Sequence, residues 1–356
     1  MKCVWPYIMT SKQIELWVDS LLCEKEQILA PVETTHGKFS FERLIDAKKL
    51  RLDYSTTLIP PTQKIFMPLN EPVISWTKVD GKTVFSGGTK PEKLLIVFGM
   101  HPYDIHALKA WDETMGEKRG TLADPDYVAK RKNTFIIGMD VMTPPPHSFC
   151  GGMGTHTVKD GYDIMITCIG DDRYFVEVIT SMGLFIFFSA PEYSEAKNSD
   201  YKLRTKIRKE VLEKYPRTLP IKRERIKSFL EKRIDHPYFD KTGELCVACA
   251  KCTFVCPTCT CCNIKEEPAL DGKSGCRVRE CDSCQLAGFT KMAGGVISRK
   301  TPGARIRHRI LDKFDYNHGM IASCVGCGRC VDVCPAGIAD PVKALIALKE
   351  EDFSHE

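Results

Sequence analysis

The stretch that decides the fold of this chain is Cys246-Val-Ala-Cys249-Ala-Lys-Cys252-Thr-Phe-Val-Cys256-Pro257. It recurs as Cys324-Val-Gly-Cys327-Gly-Arg-Cys330-Val-Asp-Val-Cys334-Pro335, so this part of the chain contains an internal repeat of the pattern C-x2-C-x2-C-x3-C-P. Three closely spaced thiolates can surround one corner of a cubane iron–sulfur cluster, while the fourth, followed by proline, reaches the other cluster. The repeat therefore predicts a ferredoxin-like domain with two [4Fe–4S] clusters and crossed ligand sets.

The crossed arrangement assigns four thiolates to each cluster. The first cluster takes Cys246, Cys249, Cys252 and Cys334, and the second takes Cys324, Cys327, Cys330 and Cys256. A pair of zinc ribbons is the structural alternative, but zinc sites use paired C-x2-C units that are a dozen or more residues apart. The two full copies of the longer pattern favour iron–sulfur clusters.

Six further cysteines lie between the two copies, and they permit two interpretations. The six are Cys259, Cys261, Cys262, Cys276, Cys281 and Cys284. They could hold a third cluster, with Cys259, Cys261, Cys281 and Cys284 as preferred ligands and Cys262 and Cys276 as substitutes. Alternatively, several of them are buried small hydrophobic residues, as free cysteines often are. No complete ligand motif decides between the two.

The composition describes a soluble globular protein of 356 residues, with 43% hydrophobic and 27% charged residues. Its length suggests roughly two domains. The apolar content is enough for a sizeable core, and this excludes a disordered or collagen-like chain. A net charge of +5 is too small to indicate nucleic-acid binding. Apolar runs such as residues 183–189 are shorter than the roughly 20 residues of a membrane span. Residues 1–10 lack the features of a secretory signal, so we expect a cytoplasmic protein.

Cysteine usage supports the same compartment. Four of the 18 cysteines lie before residue 246 and the other fourteen lie between Cys246 and Cys334. A disulfide framework would require an oxidising compartment, so dense cysteines without an export signal are better interpreted as metal ligands.

The predicted fold class is α+β in three segments: a mixed α/β N-terminal docking domain over 1–191, a basic helical linker over 192–240, and the two-cluster ferredoxin-like domain over 241–356. Apolar periodicity predicts a helix over residues 13–22 and strands over 94–98 and 135–138. A hairpin is expected at 163–167 and 174–180, and a further strand at 183–188 with Phe185, Phe187 and Phe188 in the core. Asp104 is predicted to cap the helix that follows it.

The linker segment is rich in lysine and arginine. Leu203, Ile207, Val211 and Tyr215 recur every four residues and predict a helix with a basic outer face, and a second helix is expected over 224–234. The two interpretations are a solvated pair of linking helices and a basic face that binds an acidic partner; charge runs usually favour the first.

Four runs of sequence carry a resemblance to a known family. They are CTFVCPTCTC at 252–261, CDSCQLAGFTKMAGG at 281–295, RIRHRILDKFDY at 305–316 and CVGCGRCVDVCP at 324–335. Together they resemble the A subunit of anaerobic sulfite reductase and the related β subunit of cytoplasmic sulfhydrogenases. Residues 98–108 resemble the family segment G-x-x-P-x-D-x-x-A-L. The chain departs from the pattern at Tyr103 and Ser148, where relatives have cysteine, and at Cys281, where they often have tryptophan.

The resemblance implies electron transport rather than substrate chemistry, with no catalytic residue on this chain. Such a subunit would relay single electrons from a flavin-containing NAD(P)H-oxidising subunit to a sirohaem subunit that reduces sulfite to sulfide. The equivalent role in a sulfhydrogenase or another NAD(P)H-linked complex is the alternative. We expect no flavin here, because the glycine-rich turns at Gly87-Gly88 and 151–154 lack the G-x-G-x-x-G fingerprint.

Two other classes of function stay open. One is a reductase whose N-terminal domain binds flavin, and the other is an iron–sulfur redox sensor without a catalytic partner. Bound flavin after anaerobic purification would favour the first, and a stable monomer the second. His101, His106, His147 and His156 lack the neighbours of a metal or acid–base site, and we expect ordinary hydrogen-bonded histidines. Five cations are expected to offset cluster charge: Lys251, Arg305, Arg307, Arg309 and Arg329.

Overall fold

The computed structural model describes residues 5–24, 26–87, 94–315 and 323–350. Cys3 and Gly88 lie outside the described residues. The strands are β1 (Trp5–Met9), β2 (Gln27–Thr35), β3 (Lys38–Arg43), β4 (Asn70–Val79), β5 (Lys82–Gly87), β6 (Leu95–Met100), β7 (Thr134–Met139), β8 (Ile164–Cys168), β9 (Tyr174–Val178), β10 (Ser194–Glu195), β11 (Cys262–Pro268) and β12 (Ser274–Cys281). The helices are α1 (Ser11–Cys23), α2 (Pro61–Phe66), α3 (Pro102–Met115), α4 (Pro125–Lys132), α5 (Cys150–Met153), α6 (Ser181–Phe187), α7 (Asn198–Glu213), α8 (Arg223–Glu231), α9 (Tyr238–Glu244), α10 (Lys251–Phe254), α11 (Pro302–Phe314), α12 (Arg329–Asp332) and α13 (Pro341–Glu350).

An eight-stranded sheet organises the N-terminal half in the order β10-β1-β9-β8-β7-β6-β2-β3. Strands β2, β6, β7 and β8 are parallel, and the remaining neighbours pair antiparallel. All six residues of β7 are buried, as are five of six in β6. Continuous apolar strands of this kind belong at the centre of a parallel sheet covered on both faces. The carboxyl ends of β6 and β7 lead into the segments that contact the cysteine-rich region.

A second, four-stranded antiparallel sheet has the order β11-β12-β4-β5. Two of its strands come from residues 70–87 and two from residues 262–281, so it joins distant parts of the chain. Arg279 on β12 anchors it through a buried ion pair with Glu71 and a partly buried one with Asp124, the residue that caps α4. The structure is therefore mixed α and β, and the predicted limits of the segments 1–191, 192–240 and 241–356 stay a prediction.

Most predicted N-terminal elements form. The helix over 13–22, the strands over 94–98 and 135–138, and the hairpin of β8 and β9 are confirmed with shifted ends. The strand over 183–188 is wrong: this segment is helix α6, whose cap, the Thr180 side chain, accepts a hydrogen bond from the Gly183 N–H at 2.9 Å. Phe187 is buried, but Phe185 and Phe188 are 77% and 55% exposed, so the aromatic stripe is not strand core.

Asp104 does not cap α3. The cap position belongs to His101, Pro102 occupies the first turn, and Asp104 lies inside that turn with no exposed surface. Proline is favoured at the first helical position because its missing N–H has no partner there. This places the Asp104 carboxylate towards the cysteine-rich region rather than on the backbone.

Both predicted basic helices form, as α7 and, with shifted ends, α8. Of the predicted stripe, Val211 is buried on α7 and Tyr215 just after it, while Leu203 and Ile207 are half-buried. Part of the basic surface is paired rather than solvated. Arg204 contacts Glu177 at 3.0 Å, and Arg208 contacts Asp140 at 2.7 Å. The inner arginines therefore fix α7 to the eight-stranded sheet. Among the described residues, no helix has the length and apolar character needed to cross a membrane.

Candidate iron–sulfur centres

The two repeated loops follow the same backbone path. Each ends in a single helical turn, α10 in the first copy and α12 in the second. Between the cysteines, Ala248 and Ala250 have φ values of 51° and 61°, and their counterparts Gly326 and Gly328 have 73° and 82°. Left-handed backbone turns the chain sharply enough for three successive thiols to face one point, and glycine adopts it without a steric penalty.

The second loop requires glycine for a further reason. A Cβ atom on Gly328 would lie 2.5 Å from the carbonyl carbon of His147, closer than any real contact. Phe149 donates its N–H to the Gly326 carbonyl at 2.8 Å, and Thr155 donates its hydroxyl to the Val325 carbonyl at 2.5 Å. The segment after β7 therefore packs directly against the second loop, whereas Ala248 of the first loop is partly exposed.

The eight thiols line two cavities, four in each, in the crossed sets. The first is lined by Cys246, Cys249, Cys252 and Cys334, together with Ile306, Arg309 and Ile310 of α11. The second is lined by Cys256, Cys324, Cys327 and Cys330, together with Phe149 and with Arg309 and Lys313 of α11. In each cavity three thiols come from one loop and the fourth from the other copy.

The two cavities differ in their access to solvent. Around the first, Cys249 is exposed, and the neighbouring Leu245 and Val247 are 61% and 67% exposed. Around the second, Cys327 is 7% exposed, and the backbone of residues 147–150 packs against the loop. The first centre therefore reaches the surface, while the second is enclosed by the N-terminal half.

The chemistry of these cavities fits an anionic cluster. An oxidised [4Fe–4S] cluster with four thiolates carries two negative charges, which a buried site must offset. Arg309 is only 6% exposed and lines both cavities, and its Nη1 atom has no hydrogen-bond partner among the described residues. Lys313, one turn further along α11, donates to the carbonyl and the hydroxyl of Thr258 at 3.4 and 3.3 Å. Helix α11 thus presents buried positive charge where the cluster charge would lie.

Arg329 has a different partner from the one that the sequence suggests. Its guanidinium makes a bidentate pair with Asp104, at 2.6 and 2.8 Å, and its Nε donates to the Thr57 carbonyl at 2.6 Å. Arg329 and Asp104 are 1% and 0% exposed. Sequence reasoning missed Asp104 and Thr57, although Asp104 belongs to the family-like segment at 98–108. The pair connects the start of α3 to the second loop.

The other predicted cations do not line the cavities. Arg305 donates to the carbonyls of Arg299 and Lys300 at 3.1 and 2.8 Å, which fixes the turn before α11. Arg307 pairs with Asp235 at the surface, at 3.2 Å, and Lys251 is exposed. Among the five predicted cations, Arg309 alone lines both cavities.

The middle cysteines separate into two groups. Cys259, Cys261 and Cys284 line a third cavity beside α11, and hydrogen bonds from the Cys261 thiol lower the pKa of Cys259 and of Cys284. Cys281 lies outside this cavity. It is opposite Cys262 in the register of β11 and β12, and it packs against the main core. The structure therefore does not bring the predicted four-cysteine set together as a whole. Cys276 is further away, opposite Ser75 of β4.

The N-terminal half holds the segment that carries Cys256 and Cys259. The Gln63 side chain donates to the carbonyls of both cysteines, at 3.1 and 2.7 Å. Thr62 and Trp111 each donate to the Pro257 carbonyl at 2.9 Å. These contacts fix the chain between the second and third cavities, and no local sequence signal indicates them.

The histidines have structural surroundings. The ring of His101 is buried and hydrogen-bonded to the Met139 carbonyl at 2.8 Å, and that of His106 to the Thr157 carbonyl at 2.9 Å. In the described part of the chain, no group of three or more His, Cys, Asp or Glu side chains has the arrangement of a site for a single metal ion.

Comparisons with known proteins agree with this geometry. The family described as "4Fe-4S dicluster domain" matches residues 245–338, which include both loops and α11. The chain is also 30% identical over 332 residues to sulfhydrogenase 2 subunit beta of Pyrococcus furiosus. That similarity covers 92% of this chain and 94% of the relative. The comparison with solved structures gives no match.

Proposed function

Because this chain belongs to the family of the sulfhydrogenase beta subunits and is an iron–sulfur electron-transfer subunit, we propose that it relays single electrons inside a hetero-oligomeric NAD(P)H-linked oxidoreductase. In this proposal a separate subunit carries the flavin and oxidises NAD(P)H, and a further subunit carries the catalytic site. The present chain binds no flavin and has no catalytic residue of its own. Its place of action is the cytoplasm.

The observation that carries the proposal is the pair of crossed thiol sets on either side of Arg309. We propose that Cys246, Cys249, Cys252 and Cys334 hold the first [4Fe–4S] cluster, and that Cys324, Cys327, Cys330 and Cys256 hold the second. The clusters would then be neighbours across one side chain. Each would change by one electron without proton transfer, at a potential that is set by hydrogen bonds, burial and local charge.

The solvent access of the cavities suggests a direction for the relay. The first centre meets the surface beside Leu245 and Val247, which provide an apolar rim suited to contact with another subunit. The second centre lies beneath Phe149 and exchanges electrons through the first. This order makes the first cluster the point of contact with a redox partner.

Two assemblies fit these features. The relative is named as a sulfhydrogenase subunit, and a complex of that kind is the first candidate. The sequence runs at 252–261 and 281–295 also resemble the A subunit of anaerobic sulfite reductase, which supports the second candidate. The catalytic subunits of the two assemblies differ in chemistry, because only that of the sulfite reductase carries a sirohaem.

The test is purification of the native complex without oxygen, followed by assays of iron, acid-labile sulfide, flavin and sirohaem on each separated subunit. We expect at least about eight irons and no flavin on this chain, for two four-iron clusters. Hydrogen-dependent NAD(P) reduction by the complex would support the sulfhydrogenase assignment, and sulfite reduction with bound sirohaem the other. Zinc in place of iron, or flavin on this chain, would overturn the proposal.

A further inference from the structure

We propose that Cys259, Cys261 and Cys284 hold a third iron–sulfur cluster whose fourth ligand is the imidazole of His308. This inference rests on the proposed electron-transfer function and extends it to a centre with a mixed ligand set. It departs from the four-cysteine set that the sequence suggests, because it excludes Cys281.

The three thiols share one cavity although they come from separate segments. Cys259 and Cys261 lie on the chain that leads into β11, and Cys284 follows β12. All three cysteines line this one cavity beside α11, so their side chains converge there. Cys259 and Cys284 are 7% and 6% exposed. Three convergent thiols supply three of the four ligands that a cubane core takes.

The remaining cysteines of this region point elsewhere. Cys262 follows Cys261 directly, and successive residues of a strand project to opposite faces. Cys262 and Cys281 both pack against the core of the N-terminal half, and the Cys281 thiol lies 3.7 Å from the carbonyls of Met67 and Pro68. Neither side chain lines the third cavity. A fourth ligand must therefore come from another residue type.

His308 is the residue in position to supply it. It lines the same cavity from α11, is half-buried, and interacts electrostatically with Cys284. Among the described residues its ring nitrogens have no hydrogen-bond partner, so a nitrogen is available to a metal. Asp312, one turn further along the same face, is 54% exposed and pairs with Lys313 at 3.7 Å. The imidazole is thus the better placed donor.

The surroundings favour an iron–sulfur core over a single zinc ion, for which three cysteines and one histidine would also suffice. Among the described residues, these side chains do not have the arrangement of a site for a single metal ion. Arg309 lines this cavity as well as the first two, and Lys313 lines it as well as the second. These cations would offset the negative charge of an iron–sulfur cluster in this cavity. Such a cluster would extend the electron relay past α11.

Cluster binding here replaces three S–H bonds by three Fe–S bonds and releases three protons. The histidine ligand leaves one iron less firmly held than the other three. Oxidation of the four-iron core by ferricyanide then transfers one electron to the oxidant, releases one Fe²⁺ and leaves a three-iron core. Loss of the imidazole should make this conversion faster.

The experiment uses the full chain reconstituted anaerobically, with iron, sulfide and zinc measured per chain. We expect about twelve irons in the unmodified protein, about eight in Cys261→Ser, and about twelve in the matched control Cys281→Ser. Equal iron in the unmodified protein and Cys261→Ser would overturn the third cluster, as would loss of four irons in Cys281→Ser, or one zinc that disappears in Cys261→Ser. A protein with only eight irons that still relays electrons would overturn this inference and leave the proposed function standing.

The fourth ligand is tested by electron paramagnetic resonance after ferricyanide treatment. His308→Ala should give a stronger three-iron signal than the unmodified protein, and His308→Cys should suppress it by restoring a thiolate at that iron. Identical signals in all three proteins would overturn the assignment of His308. Iron content per chain before oxidation checks that each variant has folded and is loaded.

Discussion

Replacement of Asp104 by asparagine should raise the reduction potential of the second cluster. The asparagine would keep the shape of the side chain but remove the carboxylate that pairs with Arg329, at 2.6 and 2.8 Å in a fully buried site. The positive charge of Arg329 would then act on the cluster bound by the loop to which it belongs. A nearby positive charge stabilises the reduced, more negative cluster, so the potential rises.

The magnitude follows from Coulomb's law. At a separation of about 8 Å and an effective dielectric constant of about 20, one unit charge contributes about 2 kcal/mol. That is on the order of 90 mV for a one-electron couple. The same substitution leaves a buried arginine without its carboxylate, which costs about 3–5 kcal/mol of stability. Domains are commonly stable by about 5–15 kcal/mol, so the variant should fold but lose its clusters faster on heating.

The assay is an anaerobic redox titration followed by electron paramagnetic resonance, with Asp332→Asn as the matched control. Asp332 lies in the same loop, but its side chain is 32% exposed and its contact with His147 is longer, at 3.5 Å. Arg329→Gln should shift the second potential in the opposite direction, and the double variant should return close to the starting value. An unchanged or lowered potential in Asp104→Asn, or an equal shift in the control, would refute the reasoning.

Three further predictions concern the same region. Cys334→Ser should lose about four irons and remove the first cluster, although Cys334 belongs to the second motif. Spectra of the two clusters measure which one is lost. Loss of the second cluster alone would show that the ligation is not crossed. Arg309→Gln should lower the potentials of both the first and the second cluster, and a titration in which only one moves would contradict its central position. Gly328→Ala should destabilise the chain by more than the roughly 1–3 kcal/mol of backbone strain alone, because its Cβ meets the His147 backbone. Gly337→Ala, with φ of 65° but no atom within 4 Å, is the control and should cost only that strain; equal melting temperatures would refute the steric argument.

The sequence predicts the three thiols that each loop contributes because they depend on local geometry, whereas the crossed fourth thiol follows from the repeated C-x2-C-x2-C-x3-C-P pattern. In Cys246–Cys256 and Cys324–Cys334, short spacings and small residues between the thiols determine which sulfur atoms converge. The structure gathers the eight thiols in these sets. The spacing carries no information about what lies outside the loops, so Asp104, which is 225 residues away from its partner Arg329, could not be deduced.

Two expectations differ from what the structure shows. The run at 183–188 is apolar enough for a buried strand, but Thr180 supplies a helix cap and the segment forms α6. The half-site formed by Cys281 and Cys284 suggests two ligands. Pairing of β12 with β11 and β4 turns the Cys281 side chain towards the main core instead. Tertiary pairing, which periodicity cannot predict, decides both positions.

The four-stranded sheet imposes an order on biosynthesis. Strand β4 pairs with β12 in a register that joins Ser75 to Cys276, roughly two hundred residues later in the chain. At ribosomal rates of about 5–20 residues per second, the β4–β5 hairpin waits on the order of 10–40 s for its neighbour. During that interval β4 is an open edge that presents unpaired backbone groups. The second sheet is therefore completed only after residues 274–281 have been synthesised, late in the production of the chain.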